Sequence, residues 1–185
     1  MRIETERLIL RPHVPGDFED YFSYIMDPEL QRMLGLNGVE DRESARETFQ
    51  WLLENGEFIA LIGRDSDRVI GHICVQTPIE KVACAPEFQG KKGASLSFAI
   101  AKWERRKGLM AEALSALIGQ MFRDGTVDYL DCEYPLFNTA SRSLQEKLGF
   151  RHWGAARFGD EELIINILQK EGVDTAAGMW YDSSH

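Results

Sequence analysis

The stretch that most constrains the fold runs from residue 94 to residue 134, where a strand, a basic loop, a helix and a second strand follow one another. Residues 94–101 alternate apolar and polar side chains, as a strand does. From Met110 to Met121, apolar residues recur every three or four positions, which is typical of an amphipathic helix. Residues 129–134 predict another strand. A strand, a crossover helix and a strand in one sheet run parallel, so the sequence predicts one parallel pair.

The rest of the chain predicts hairpins and helices around this unit. Residues 76–93 are interrupted by Pro and Gly, and we expect a long loop or a short irregular strand there. Further strands are predicted at residues 7–12, as a hairpin over 57–76, and as a pair over 150–168 around the turn Gly159-Asp160. Helices are predicted from Asp17, which serves as N-cap, over 42–54, and over 137–148. The fold class expected is mixed α/β: a mostly antiparallel, twisted sheet of six or seven strands, with a central parallel pair and helices on both faces.

Composition narrows the classes of function. The chain has 185 residues, 44% of them apolar, which suits a single domain over 1–170 with a tail at 171–185. No run approaches the roughly 18 apolar residues of a membrane span, and the charged N-terminus is no secretory signal. Three scattered cysteines predict neither a disulfide framework nor a metal site, so we expect a cytoplasmic protein without a metal.

The net charge of the chain indicates which kinds of ligand it can bind. The net charge of −9 argues against nucleic-acid binding. It is compatible with a cationic substrate, although an acidic balance is more often a matter of solubility alone. The sequence leaves the oligomeric state open, a homodimer included.

The loop "ERRKGLMAEAL", residues 104–114, gathers Arg105, Arg106 and Lys107 beside Gly108 at the start of a helix. The first N–H groups of a helix have no internal partner, and the helix dipole adds positive charge there. Gly108 lets the backbone approach a ligand closely. A phosphate or pyrophosphate suits this layout, and the alternative is an ordinary turn with solvated basic residues. Neither a P-loop nor a dinucleotide-binding glycine motif occurs in the chain.

Three motifs in order resemble one family. "ETERLILRP" at the N-terminus, Arg105 to Met110 followed by "EAL", and "FNTASRSLQEKLGF" at 137–150 are together similar to the GNAT superfamily of acyl-CoA-dependent N-acetyltransferases. The closest resemblance is to the branch containing ribosomal-protein N-terminal acetyltransferases. It covers about residues 2–170, and the Arg105–Met110 loop is similar to the family's pyrophosphate loop.

The resemblance implies how acetyl-CoA, as co-substrate, would be held. Its diphosphate would lie on the N–H groups of residues 106–110, and its pantetheine beside strand 94–101, at a place where the two parallel strands splay apart. Asn138 and Ser141 would contact the CoA arm from the other side. The residues expected to bind the co-substrate are therefore Ser97, Phe98, Ile100, Arg105, Arg106, Lys107, Gly108, Leu109, Met110, Asn138 and Ser141.

The chain also departs from the family pattern. Met110 replaces the usual small residue, and is tolerable if its side chain points into the core. Gln145 stands where many members have a tyrosine as proton donor, and Ser95 and Ser97 stand where this branch often has an acid. The general base is therefore sought elsewhere, with Glu133 as the first candidate, while Ser141 or water protonates the thiolate.

Each of these residues also has an ordinary structural interpretation. Asn138 suits a helix N-cap, and Ser141 can satisfy the same helix end. A strand carboxylate such as Glu133 is usually solvated. Weaker candidates are Glu57, Glu80 and Glu87 as base and Lys91 and Lys92 for the CoA 3′-phosphate, whereas His72 and Cys132 are expected in the core.

The expected function is transfer of the acetyl group from acetyl-CoA to a primary amine, either a small molecule or a peptide N-terminus, by direct attack in a ternary complex. A backbone N–H near Ser97 or Phe98 would hold the developing oxyanion. The alternative is a non-catalytic acyl-CoA-binding sensor or partner module, which the missing tyrosine keeps open.

Overall fold

A computed structural model describes residues 1–170, apart from residues 37, 56 and 160. The predicted tail at 171–185 lies outside the described residues. Among the helices described, none is both long enough and apolar enough to cross a membrane.

The described residues form a mixed α/β fold with eight strands, one more than the upper number predicted. Their order in the sheet is β1-β2-β3-β4-β5-β6-β8-β7, and the described pairing is antiparallel except for β5 with β6. The strands are β1 Ile3–Glu4, β2 Leu8–Pro12, β3 Glu57–Gly63, β4 Arg68–Gln76, β5 Gly93–Ile100, β6 Tyr129–Pro135, β7 Arg151–Phe158 and β8 Glu161–Gln169. The helices are α1 Phe18–Ile25, α2 Pro28–Leu34, α3 Arg42–Asn55, α4 Glu80–Ala83, α5 Leu109–Arg123 and α6 Thr139–Lys147.

The chain divides into two compact units, and β5 and α5 each contribute residues to both. Among the described residues, the first unit comprises those of 1–76 and 97–117, and the second comprises those of 77–96 and 118–170. The prediction of a single domain over 1–170 stays a prediction.

The first unit is organised by the β2-β3-β4 strands and helices α1 to α3. Its core is aromatic: Phe18, Tyr21, Phe49 and Phe58 are buried and pack ring against ring. The predicted hairpin over 57–76 is confirmed, with pairs from Glu57↔Val75 to Gly63↔Arg68. The alternation of apolar side chains that predicted these strands therefore supplies the face that buries this core.

The second unit contains the parallel pair. Gly93, Ala94 and Ser95 pair with Tyr129, Leu130 and Asp131. Gly93 is required here because a Cβ on it would lie 2.1 Å from the Tyr129 ring. The ring of Tyr129 instead packs against Phe88, with centroids 4.3 Å apart. The predicted parallel pair is thus confirmed.

Three local expectations need correction or refinement. Helix α2 was not predicted, although Asp27 caps it and Pro28 occupies its first position, a recognisable start signal. Of the two alternatives for residues 76–93, the structure shows a long connection rather than a strand, and this connection contains the short helix α4. Asp17 occupies the N-cap of α1 as predicted, but its side chain makes no cap bond; it binds the Arg11 guanidinium and the Val14 N–H instead.

Candidate functional site

The predicted site residues fall into two groups, one in each unit. In the first unit lies the basic loop before α5. Two of its residues adopt the left-handed conformation, Arg106 at φ 65° and Gly108 at φ 81°. The first bond of the helix runs from the Glu112 N–H to the Gly108 carbonyl, at 3.1 Å. Among the described residues, no group accepts a hydrogen bond from the N–H groups of 106–111. Successive N–H groups of this kind form a concave anion-binding nest.

A strap from the N-terminus braces this loop. The Glu112 carboxylate accepts hydrogen bonds from the Thr5 hydroxyl at 2.6 Å, the Arg7 N–H at 2.9 Å and the Arg7 Nε at 2.7 Å. Arg7 also donates from Nη1 to the Lys107 carbonyl, at 2.9 Å. Burial alone would raise the pKa of Glu112, but these donors outweigh it and lower the pKa. The charged Glu112 therefore holds the loop in place, which gives "ETERL" and "EAL" a shared structural role.

The three basic side chains of the loop differ in what they contact. Arg105 is committed: it donates to Asp27 and to Glu29, at 2.9 Å each, and so ties the loop to the start of α2. Lys107 pairs with Glu104 at 2.9 Å. Arg106 is exposed and forms no ion pair with any described residue. Of the three basic side chains, Arg106 is therefore the one whose charge is not used in an ion pair with a described residue.

Behind the loop, Leu109 and Met110 are buried, so the bulky Met110 does point into the core as expected. In the second half of β5, Ala99 is buried while Ser97, Phe98 and Ile100 are only half-buried. The backbone here is packed closely: a Cβ on Gly71 would lie 2.4 Å from the Ala99 carbonyl oxygen.

In the second unit, two carboxylates lie two residues apart on β6 and therefore on one face of the strand. Glu133 reaches solvent, yet partial loss of hydration raises its pKa above the ordinary value. Asp131 is fully buried, and burial raises its pKa to about 6, with a smaller contribution from the Glu133 charge.

The contacts of Asp131 satisfy only one side of its carboxylate. Oδ2 accepts from the Ile79 N–H at 3.2 Å. Oδ1 is buried and has no partner among the described residues. Ser95–Asp131 is also the last described pair of the parallel ladder, which spans three residues of each strand. A partly satisfied buried carboxylate at such a position is suited to holding a proton near neutral pH.

A buried polar chain fixes the start of α6. Asn138 is the N-cap, its Oδ1 accepting from the Ser141 N–H at 3.0 Å, which confirms its structural interpretation. Gln145 is fully buried; its Oε1 accepts from Asn166 at 3.0 Å, and its Nε2 donates to the Ser141 Oγ at 3.1 Å. Since the Ser141 oxygen accepts this bond, its own proton is directed elsewhere.

The weaker candidates fall into two sets. His72 and Cys132 are buried in the core as expected; burial lowers the pKa of His72 to about 3. Glu57 and Glu80 are exposed, and Glu87 accepts from the Trp153 indole at 3.0 Å. Lys91 and Lys92 are also exposed.

Two features of the site were not predicted from the sequence. Asp131 was overlooked, although an acid in the apolar run "YLDCEY", in phase with Glu133, was a usable signal. The Arg105 pairs with Asp27 and Glu29 could not be foreseen, because they join residues about 76 positions apart. The described residues contain no group of three or more His, Cys, Asp or Glu side chains placed to hold a metal.

Comparison with known proteins identifies the class. Residues 7–151 match the family described as the acetyltransferase (GNAT) domain. The chain is 28% identical over 166 residues to YoaA, an uncharacterized N-acetyltransferase of Bacillus subtilis, covering 84% of this chain and 85% of YoaA. Since the family match spans well over half of the chain, the protein belongs to the GNAT acetyltransferase family.

Solved structures share the fold at low sequence identity. A GNAT-family acetyltransferase from Bacillus anthracis superimposes with a TM-score of 0.78 at 19% identity, covering 92% of this chain and 99% of that one. The ribosomal-protein-S5-alanine acetyltransferase of Vibrio fischeri gives 0.72 at 15% identity, covering 98% and 100%. These likenesses show a common fold.

Proposed function

We propose that the protein transfers the acetyl group of acetyl-CoA directly to a primary amine in a ternary complex. The main support for this proposal is a row of six backbone N–H groups, residues 106–111, at the start of α5. Among the described residues, no group accepts a hydrogen bond from them. A diphosphate supplies two groups of anionic oxygens that such a row can satisfy. Membership of an acetyltransferase family makes acetyl-CoA the donor expected there.

Within this proposal the loop residues have different tasks. The backbone from Arg106 to Met110 binds the diphosphate, and the Arg106 guanidinium adds a charge. Arg105, held by Asp27 and Glu29, positions the loop rather than neutralising phosphate. The half-buried Ser97, Phe98 and Ile100 offer main chain to pantetheine as an added strand would.

The chemical step needs an amine without its extra proton. Glu133 removes that proton, directly or through water, because its raised pKa makes it a better base than an ordinary surface carboxylate. The amine lone pair then attacks the thioester carbon, the C–S bond of the tetrahedral intermediate breaks, and the thiolate leaves. Ser141, with its hydroxyl proton not used by Gln145, donates to the departing sulfur. The nitrogen releases its second proton through water, and this proton restores the Ser141 hydroxyl after its donation. A backbone N–H near Ser97 or Phe98 stabilises the oxyanion.

The acceptor is a primary amine of a small molecule or a peptide N-terminus, and the site of action is the cytoplasm. Support for a reducing compartment comes from the cysteines, since Cys74, Cys84 and Cys132 are all free thiols. No metal is required by this mechanism.

Release of free CoA in the presence of an amine panel tests the proposal. The panel contains short peptides with free N-termini, polyamines and amino acids, each with acetyl-CoA, and products are identified by a mass increase of one acetyl group. Turnover of any amine supports the enzyme. Binding of acetyl-CoA without CoA release from any member would instead favour the sensor or partner module.

A further inference from the structure

A shallow apolar groove lies in the second unit, where β6 ends. It has a volume of about 350 Å³ and is lined by Pro135, Leu136, Phe137, Glu161 and Glu162, almost entirely through apolar atoms. Leu136 is 62% exposed and Phe137 is 40% exposed, which is unusual for side chains of this size.

The backbone holds the groove in a fixed shape. The Leu136 N–H donates to the Glu162 carbonyl at 3.3 Å, and so links the two walls. On the other side, the Asn138 N–H donates to the Pro135 carbonyl at 2.8 Å, and the Thr139 N–H to the Phe137 carbonyl at 3.0 Å. The exposed leucine and phenylalanine are thus held on an ordered turn.

The charge around the groove is negative. Glu161 and Glu162 line it, and neither pairs with a cation among the described residues. Arg157 is the register partner of Glu162, yet no ion pair forms between them. An apolar floor beside unpaired carboxylates complements a ligand that is both apolar and positively charged.

The groove also lies at the end of the strand that carries the proposed base, because Pro135 is the last residue of β6. Pro135, Leu136 and Phe137 are three of the four residues that connect Glu133, the proposed base, to Asn138 at the head of α6. A ligand on the groove therefore lies against the segment that carries the chemistry of this unit.

From these observations we propose that the groove binds the acceptor, and that the acceptor is an apolar primary ammonium. Its apolar group packs on Leu136 and Phe137, and Glu161 and Glu162 attract its positive charge. This inference rests on the proposed function and specifies its substrate class. An aryl-alkyl amine and a peptide with an apolar N-terminal residue share this chemistry.

The test uses the full chain and 2-phenylethylamine as probe, with 2-phenylethanol as its neutral counterpart. Binding is followed by NMR of labelled leucine and phenylalanine. We expect the amine to shift the Leu136 and Phe137 signals and to bind about fivefold more tightly than the alcohol, as two exposed carboxylates allow. The double variant Glu161→Gln/Glu162→Gln should lose that preference. The control Glu43→Gln/Glu47→Gln, with the same change of charge on exposed positions of α3, should keep it.

Three results would overturn the inference: unshifted Leu136 and Phe137 signals, equal binding of amine and alcohol, or a preference that survives in Glu161→Gln/Glu162→Gln. A solution dimer that buries Leu136 and Phe137 would assign the groove to a second copy of the chain instead. Comparing kcat/KM for 2-phenylethylamine with that for a peptide bearing N-terminal phenylalanine separates the two sources of the amine. Because the NMR signals need no acetyl-CoA, failure of co-substrate binding would count against the proposed function alone.

Discussion

The two units differ in which buried ionisable group lacks an ion-pair partner. In the first unit, His72 lies among the aromatic rings of the core, while the buried acid Asp17 is paired with Arg11. In the second unit, the buried acid Asp131 forms no ion pair with any described residue. Burial disfavours the charged form in both cases, so it lowers the pKa of His72 to about 3 and raises that of Asp131 to about 6.

The same desolvation therefore has different chemical consequences. It moves the pKa of His72 away from neutral pH, so that the ring is an uncharged hydrogen-bonding group at neutral pH, with Nδ1 2.8 Å from the Tyr24 hydroxyl. It moves the acids of β6 toward neutral pH, where a proton can be gained and lost. This difference is consistent with our proposal that Glu133, in the second unit, takes up the proton of the amine.

We expect His72 to have the strongest influence, on the free energy of unfolding at acid pH. A histidine whose folded pKa is depressed contributes stability above its ordinary pKa of 6.5, and that stability is lost as the pH falls toward about 3. The loss amounts to about 5 kcal/mol. In His72→Leu, the unfolding free energy measured by urea titration should fall far less between pH 6.5 and pH 4 than in the wild type. A variant as acid-sensitive as the wild type would show that His72 is not the responsible group.

Asp131 should show the opposite pH dependence. Its folded pKa lies above the ordinary 3.8, so its contribution is present at acid pH and is lost as the pH rises through about 6. The cost of the buried charge is about 3 kcal/mol at pH 8. Asp131→Asn should recover much of that cost at pH 8 and almost none at pH 4, by the same titration. Equal effects at the two pH values would mean that Asp131 is not protonated in the folded protein near pH 6.

Glu133 tests the assignment of proton transfer. Glu133→Gln keeps the shape and removes the charge, so kcat/KM at neutral pH should fall about tenfold, or about 1.4 kcal/mol of transition-state stabilisation. The loss should shrink at high pH, where the amine is already deprotonated. A wild-type pH–rate profile in this variant would exclude Glu133 as the base.

The smallest effect expected concerns Ser141. Ser141→Ala should lower kcat severalfold, and it also leaves the buried Gln145 amide without an acceptor, which costs stability by about 1 kcal/mol. The loss of rate should persist at temperatures where the variant is fully folded. Ser143→Ala, an exposed position on the same helix, is the matched control. Unchanged kcat in Ser141→Ala would leave that hydroxyl a purely structural group.

Much of the fold could be predicted because local signals agreed with the tertiary structure. The alternation over 94–101, the stripe from Met110 to Met121 and the turn after residue 63 each correspond to an observed element. The features that were not predicted are either short elements or contacts between residues far apart in the sequence. Helix α2 has only seven residues, and the pairs that Arg105 makes with Asp27 and Glu29 exist only in the folded chain.

The candidate site divides in the same way. Gly108 and its neighbours could be recognised from residue type and spacing, because backbone conformation follows from local sequence. Asp131 could not be assigned a raised pKa from sequence, because that property depends on complete burial and on an unpartnered Oδ1. An aspartate on an exposed strand would be an ordinary solvated carboxylate.

We propose that the backbone of the 106–110 loop holds acetyl-CoA, and calorimetry of Gly108→Val is the sharpest test of this binding mode. A Cβ at Gly108 would meet only Arg7 Nη2, at 3.6 Å, so the variant has room to fold, but valine strongly disfavours a φ of 81°. We expect acetyl-CoA to bind about thirtyfold more weakly, or about 2 kcal/mol, as the loop relaxes and its N–H groups turn away. Gly125→Val, at φ 65° with nothing within 4 Å, carries similar strain after α5 and should bind as the wild type does. Wild-type affinity in Gly108→Val, or equal weakening in both variants, would show that the backbone of this loop does not hold acetyl-CoA.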